Sequence, residues 1–194
     1  MRFDDLQALV LLSFRDPARA VQALLSLHLP MAARWMALAL VVSLSALLAW
    51  GASMLFPVRV DTGMNDAVAQ PLMAAGAQFA VLSLAALLMA GVGRSFGGTG
   101  TFPDALLLMT WIQFVLLVIQ TAQVLLMLLF PMIASLMWLV AAGILVWLMV
   151  QFTKALHGFD SAAKVALGMI MTFMAAGMVM AVLLSSLGIL PVPE

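Results

Sequence analysis

The sequence contains neither cysteine nor tyrosine, and it has few charged side chains: eight Lys and Arg against eight Asp and Glu in 194 residues. The absence of cysteine excludes disulfides, thiolate nucleophiles and zinc–sulfur sites. The even balance of charge leaves no basic surface for nucleic acid, so we expect no such partner. Charged residues make up 8% of the chain and apolar residues 66%, whereas about 25% of the residues are charged in soluble domains. These values predict an integral membrane protein.

Five uncharged apolar stretches are long enough to cross a bilayer, whose apolar core of about 30 Å requires about 20 helical residues. Each stretch must be helical, because a backbone surrounded by lipid has to satisfy its own amides. We therefore predict an all-α integral membrane protein with a transmembrane domain over residues 31–190. Its five helices are expected at residues 35–56, 72–93, 105–129, 132–153 and 165–188. Only Pro131, which disfavours helix at Phe130, separates the third stretch from the fourth.

The pattern of apolar and charged side chains in residues 1–30 predicts one or two short amphipathic helices that lie in the cytoplasmic membrane interface. Apolar side chains recur there at helical spacing, at Phe3, Leu6, Val10 and Phe14. Asp16-Pro17 is typical of an N-cap followed by proline at the first helical position. The alternative is a disordered tail that avoids lipid.

The positive charges predict the orientation of the chain. If five helices cross the membrane, seven of the eight Lys and Arg residues lie on the side of the N-terminus: Arg2, Arg15, Arg19, Arg34, Arg94, Lys154 and Lys164. Only Arg59 lies on the other side. Because Lys and Arg concentrate in cytoplasmic loops, we expect a cytoplasmic N-terminus and a C-terminus outside.

The connector between the second and third stretches is rich in glycine and is a candidate contact for a partner or a lipid headgroup. Its candidate residues are Arg94, Gly97, Gly98 and Gly100, since backbone N–H groups of such turns can surround a phosphate. The connector has no lysine after the glycines and follows no strand, so it is neither a P-loop nor a dinucleotide-binding turn. The alternative is a tight turn followed by a capping box formed by Thr101 and Asp104.

The connector before the fifth stretch offers His157, Gly158 and Phe159 as further candidate contact residues. Gly158 suits the left-handed C-cap of the preceding helix, and Asp160 or Ser161 suits the next N-cap. A His157–Asp160 pair would serve acid–base chemistry, but no nucleophile or third partner accompanies it. We therefore predict no catalytic residues, no cofactor and no metal site, and hence a protein that is not an enzyme.

Polar side chains inside the third stretch share one face of the helix: Thr110, Gln113, Gln120 and Gln123 fall within about 140° of one another. This face would serve either as a polar path for a small solute or as a source of interhelical hydrogen bonds. No carboxylate, lysine, arginine or histidine lies inside any predicted stretch, and this argues against a proton- or sodium-coupled transporter.

The fifth stretch has a ladder of small residues at Gly177, Ala181 and Ser185. Such ladders allow close helix packing, here within the bundle or against a partner. Three methionines of the same stretch also share a face, at Met171, Met174 and Met178. Thioethers can bind Cu(I), but methionine also fills irregular gaps in apolar cores, and we expect packing rather than copper binding.

Three segments resemble the bacterial branch of the Yip-one domain family. They are RSFGGTGTFPDALLL at residues 94–108, KALHGFDSAAKVAL at residues 154–167, and the entry segment SFRDPARAVQALL at residues 13–25. With the five helices and the cytoplasmic N-terminus, the resemblance covers about residues 13–188. It implies a multi-pass protein without known catalysis. With the orientation expected from the positive charges, the protein would lie in a bacterial inner membrane and have its C-terminus in the periplasm. Eukaryotic relatives bind prenylated Rab-type GTPases in vesicle traffic, but this chain lacks their Asp-Leu-Tyr-Gly-Pro signature and their long cytosolic domain.

The expected function is that of a non-enzymatic scaffold, accessory subunit or membrane-organising factor that works through helix–helix and lipid contacts. Its expected partners are membrane lipids together with another membrane protein or a second copy of the chain. The alternative is a channel or facilitator for a small solute that uses the polar face of the third stretch.

Overall fold

A computed structural model describes residues 3–56 and 70–186, and within these ranges the chain forms helices and no strands. The helices are α1 (Phe3–Arg15), α2 (Pro17–Leu25), α3 (Met31–Leu55), α4 (Pro71–Ser95), α5 (Phe102–Leu129), α6 (Pro131–His157) and α7 (Ala162–Ser186). Helices α3 to α7 are each long and apolar enough to cross a membrane. The predicted all-α class with five spanning helices is therefore confirmed. Arg2, Arg59 and the last two residues of the predicted fifth stretch lie outside the described residues.

Proline and polar caps determine where several helices begin. Proline occupies the first turn of α2, α4, α5 and α6, where its missing N–H group is not needed and its fixed φ favours the helix. Asp16 caps α2 as predicted, because its carboxylate accepts the N–H of Arg19 at 3.1 Å. The break at Phe130 is also confirmed, since α5 ends at Leu129 and α6 begins at Pro131.

The spanning helices extend beyond the apolar stretches that predicted them. Helix α3 begins four residues earlier, at Met31, and so includes Arg34. Helix α6 continues four residues further, through Lys154 to His157. The predicted limits were placed at the nearest charge or proline, whereas the helix itself continues until a cap stops it. For α6 that cap is Gly158, whose φ of +70° is left-handed.

The closest packing is confined to one end of the helix bundle. The buried side chains of α3 lie in its first two thirds, those of α4 and α6 in their second halves, and those of α5 in its first half. Helix α5 is central, since it packs against α3, α4, α6 and α2. The tight end is therefore the one that holds both candidate connectors, and the opposite halves of these helices leave more of their surface uncovered.

Helices α1 and α2 belong to the same hydrophobic core as the spanning helices. Val21 and Leu24 of α2 are almost completely buried, and α2 packs against α5 and α6. Ser13 of α1 is fully buried and accepts the indole N–H of Trp111 at 2.9 Å. The predicted location of these helices in a membrane interface stays a prediction. The apolar side of α2 is packed against protein, whereas Leu11 of α1 is 50% exposed.

Candidate interaction site at the junction of two connectors

The two candidate connectors meet at His157, the last residue of α6. Its imidazole is 3% exposed and lies between the end of α4 and the loop that precedes α5. Its two ring nitrogens bind backbone groups of Gly100 and Met89, which lie 57 and 68 positions earlier in the chain. The sequence named His157 and the glycines as candidate contact residues of two separate connectors, and the structure brings them together. We refer to His157 with Gly93, Gly98 and Gly100 as the connector junction.

The hydrogen bonds of His157 define its tautomer. The backbone N–H of Gly100 donates to Nδ1 at 3.2 Å, and Nε2 donates to the carbonyl of Met89 at 3.0 Å. One nitrogen accepts and the other donates, which is the pattern of a neutral imidazole protonated on Nε2. Both nitrogens are thus used within the protein, and neither is available as a general base.

Glycine is required at three positions around this ring. A Cβ atom built on Gly93 or Gly98 would overlap the imidazole, and one built on Gly100 would lie 2.7 Å from both Cε1 of His157 and Cγ of Leu156. Any larger residue therefore has to displace a buried side chain. The missing side chains create the space that the histidine fills.

Two of these glycines, together with Gly97, also end helix α4. Gly97 has a φ of +85°, and the N–H of Gly98 donates to the carbonyl of Gly93 at 2.9 Å. This arrangement is a Schellman motif. Helix α6 ends in the same way, because Gly158 is left-handed and the N–H of Phe159 donates to the carbonyl of Lys154 at 3.0 Å. The ring of Phe159 then stacks on that of His157, with centroids 5.4 Å apart.

In the glycine-rich connector between α4 and α5, the backbone N–H groups that would bind a phosphate already donate to other groups of the protein. Gly97 and Gly98 donate to carbonyls of α4, and Gly100 donates to His157. Arg94 and Gly97 are exposed on the outside of the turn. The geometry therefore agrees with the interpretation of this connector as a turn and cap, and it leaves Arg94 as the exposed polar side chain of the predicted set.

An ion pair next to the junction was not predicted. Arg34, only 8% exposed, donates through Nη1 to Oδ1 of Asp104 at 2.9 Å and through Nε to the carbonyl of Leu29 at 2.9 Å. Oδ2 of Asp104 accepts the hydroxyl of Thr101 at 2.6 Å. The predicted cap of α5 is present, since Oγ1 of Thr101 accepts the N–H of Asp104 at 3.4 Å. The carboxylate of Asp104 thus joins the start of α3 to the start of α5.

The polar face of α5 forms hydrogen bonds with α3. Oγ of Ser45 donates to Oε1 of Gln120 at 2.8 Å, and Nε2 of Gln120 donates to the backbone carbonyl of Ser45 at 3.2 Å. Gln113 is buried and donates to the same serine hydroxyl at 3.4 Å. Thr110 donates to the carbonyl of Leu106 on its own helix, and Gln123 is half-buried. Interhelical hydrogen bonding therefore accounts for the two central amides, and a solute path is not favoured.

Helix α7 is the least covered of the spanning helices. Among its described side chains only Val165 is buried. Gly177 and Ala181 are exposed, Ser185 is half-buried, and a Cβ on Gly177 would meet no atom within 4 Å. The small-residue ladder is thus not packed against another helix of the described chain. Met171, Met174 and Met178 are more than 60% exposed on the same helix.

The arrangement offers binding surfaces rather than reactive groups. Within residues 3–56 and 70–186, no group of three His, Cys, Asp or Glu side chains is placed to hold a metal ion. No buried side-chain nitrogen or oxygen in these ranges lacks a hydrogen-bond partner. Polar groups inside the described part of the bundle therefore stabilise the protein itself.

Comparison with known proteins gave one family. The model of the Yip1 domain matches residues 11–184, which is nearly the whole chain. Searches of curated proteins and of solved structures returned no match.

Proposed function

This chain belongs to the Yip1 domain family, and on that basis we propose that it is a non-enzymatic scaffold or accessory subunit of a bacterial inner membrane. It is a multi-pass protein with five spanning helices. In the proposed role it holds another membrane protein, or a second copy of itself, through helix–helix contacts, and it organises lipids around them. The N-terminus faces the cytoplasm and the C-terminus the periplasm.

The uncovered face of α7 is the observation that carries this proposal. A spanning helix whose small residues face away from its own bundle offers a surface on which another helix can approach closely. Gly177 and Ala181 form this surface with Ser185, and Gly177 has open space in front of it. We refer to these three residues as the ladder face.

The use of internal polar groups supports a role without catalysis. His157 has both ring nitrogens bound to backbone groups, and the amides of Gln113 and Gln120 bind Ser45. A channel would need some of these groups for a solute. The channel is therefore the less favoured alternative.

Photocrosslinking in native membranes tests the proposed role. A photoreactive amino acid at Ala181 is expected to give a protein adduct, whereas the same label at Leu87, an exposed position of α4, is expected to give mainly lipid adducts. Gly177→Leu should abolish the protein adduct, because the added side chain holds a partner helix away from the ladder face. Adducts with lipid alone at both positions would refute the scaffold.

A further inference from the structure

A cleft of about 360 Å³ separates α7 from α4 and α6. Its inner wall is formed by apolar side chains of all three helices, among them Ala85, Leu88, Met149, Met169 and Phe173. Thr153 and Thr172 also line it, but their hydroxyls donate to carbonyls of their own helices at 2.6 and 2.7 Å. The wall therefore offers almost no free hydrogen-bonding group, and an apolar cleft of this kind does not hold ordered water.

The length of the cleft matches one leaflet of a bilayer. It extends along α4 from Ala85 to Phe96, and at 1.5 Å per residue this distance is about 16 Å. Half of the apolar core of a bilayer measures about 15 Å. An extended alkyl chain spans this length, and it needs no hydrogen-bonding partner from the apolar walls of the cleft.

Two opposite charges stand at the mouth of the cleft. Asp160 and Lys164 line it next to Phe96 and Phe159, at the end of the bundle where both connectors lie. Both charged side chains are exposed, and neither forms an ion pair with another described residue. A headgroup that carries both a phosphate and an ammonium group complements this pair, whereas a purely anionic headgroup would face the carboxylate of Asp160.

We infer that the cleft binds one acyl chain of a cytoplasmic-leaflet phospholipid whose headgroup is a zwitterionic phosphoethanolamine. The phosphate lies at Lys164, the primary ammonium group donates to Asp160, and the chain fills the space under α7. The bound lipid replaces the helix contacts that α7 lacks with α4. This inference does not depend on a protein partner, because the ladder face lies on the other side of α7. Ala181 is nine residues from Thr172, which is 180° around the helix.

The chain itself provides a matched pair of variants to test this site. Gly168 lines the cleft and Gly177 lies nine residues further, on the opposite face; a Cβ on either glycine meets no atom within 4 Å. Gly168→Leu therefore places a side chain in the cleft from a position where its Cβ has open space, and Gly177→Leu adds the same side chain outside it. Asp160→Asn removes the acceptor of the ammonium group at an exposed position that the core does not need.

The experiment is native mass spectrometry of the full chain. The protein is reconstituted into nanodiscs that contain phosphatidylethanolamine, phosphatidylglycerol and phosphatidylcholine in equal parts. Collisional activation then releases it with the lipids that it retains. The unmodified protein and Gly177→Leu should each retain one phosphatidylethanolamine. Gly168→Leu should retain at least tenfold less, and Asp160→Asn should lose the preference between headgroups, because all three lipids carry the phosphate and only the ammonium contact distinguishes them. Circular dichroism and gel filtration confirm that each variant is folded.

Three results would overturn the inference. The first is equal retention by Gly168→Leu and Gly177→Leu. The second is a preference of the unmodified protein for phosphatidylglycerol, or no preference over phosphatidylcholine, whose methylated amine cannot donate to Asp160. The third is a dimer without lipid, because the occupant would then be a second copy of the chain. The two proposals are tested independently by Gly177→Leu. This variant should lose the photocrosslinked protein adduct of the ladder face while it retains the lipid in the cleft.

Discussion

At the scale of single residues, the connector junction depends on the absence of side chains as much as on the presence of one. His157 fills a space that exists because Gly93, Gly98 and Gly100 have no Cβ atom. The sequence predicted the local half of this arrangement, the cap at Gly158, because a cap depends on neighbouring residues. It did not predict the contact with Gly93, since 64 positions separate the two residues and only the packing of α4 against α6 brings them together.

Gly93→Ala is expected to destabilise the protein by about 1–3 kcal/mol, because the methyl group overlaps the imidazole of His157 and overpacking of a core has costs of this size. Gly91→Ala is the matched control on the same helix, where a Cβ meets no atom within 4 Å. It should leave stability unchanged or raise it by about 0.5–1 kcal/mol, the helical preference for alanine. The measurement is the midpoint of unfolding by sodium dodecyl sulfate in mixed micelles. Equal midpoints for the two variants would contradict the close packing of Gly93 against His157.

The ion pair between Arg34 and Asp104 shows a second limit of sequence reasoning. Arg34 was counted only as a flanking positive charge that sets orientation, because it lay just outside an apolar stretch. Helix α3 in fact begins before it, and its guanidinium group is buried against the start of α5. A charged residue at the edge of an apolar segment can thus form an ion pair with another helix. Sequence reasoning missed this role of Arg34 because 70 positions separate it from Asp104.

At the scale of helices, the number and type of elements followed from the sequence because hydrophobic length and proline are strong local signals. The ends were less well predicted, since helices continue through charged residues at the edge of the apolar core until a cap occurs. The function of the polar face of α5 was left open between two interpretations. The position of Ser45 on α3 decides in favour of interhelical hydrogen bonds, and no property of α5 by itself could have done so.

The pair Ser45–Gln120 should show a coupling energy of about 0.6 kcal/mol and at most about 1.7 kcal/mol, the mean and the maximum measured for side-chain hydrogen bonds between membrane helices. Ser45→Ala and Gln120→Leu are each expected to lower stability, and the double variant should lose less than the sum of the two. A double-mutant cycle on the same unfolding midpoint measures this difference. Thr121→Val serves as control, because Thr121 is exposed and bonds only to its own helix. Strict additivity of Ser45→Ala and Gln120→Leu would exclude the contact.

At the scale of the whole molecule, the tight end of the bundle coincides with the side that the positive charges assign to the cytoplasm. Both connectors, the pair of Arg34 with Asp104 and helices α1 and α2 all lie there. The sequence could predict this side from its charge, but it could not predict that the core would be concentrated there. Burial depends on which halves of the helices converge, and apolar composition is nearly uniform along each spanning helix.

Reporter fusions test the orientation. Alkaline phosphatase joined after Ser186 should be active, because an odd number of crossings places that end in the periplasm. The same enzyme joined after Thr99, in the glycine-rich connector between α4 and α5, should be inactive. A green fluorescent protein should be fluorescent after Thr99 and dark after Ser186. An active phosphatase after Thr99 would mean that the orientation assigned from charge is wrong.

The hydrogen bond between Ser13 and Trp111 has a consequence for biogenesis. The two residues are 98 positions apart, and ribosomes add about 5–20 residues per second. The first two helices therefore leave the ribosome about 5–20 s before their docking surface has been synthesised. During this delay the sides of α1 and α2 that pack in the core have no α5 or α6 to contact. The N-terminal helices can therefore reach their final packing only after the later helices have been inserted.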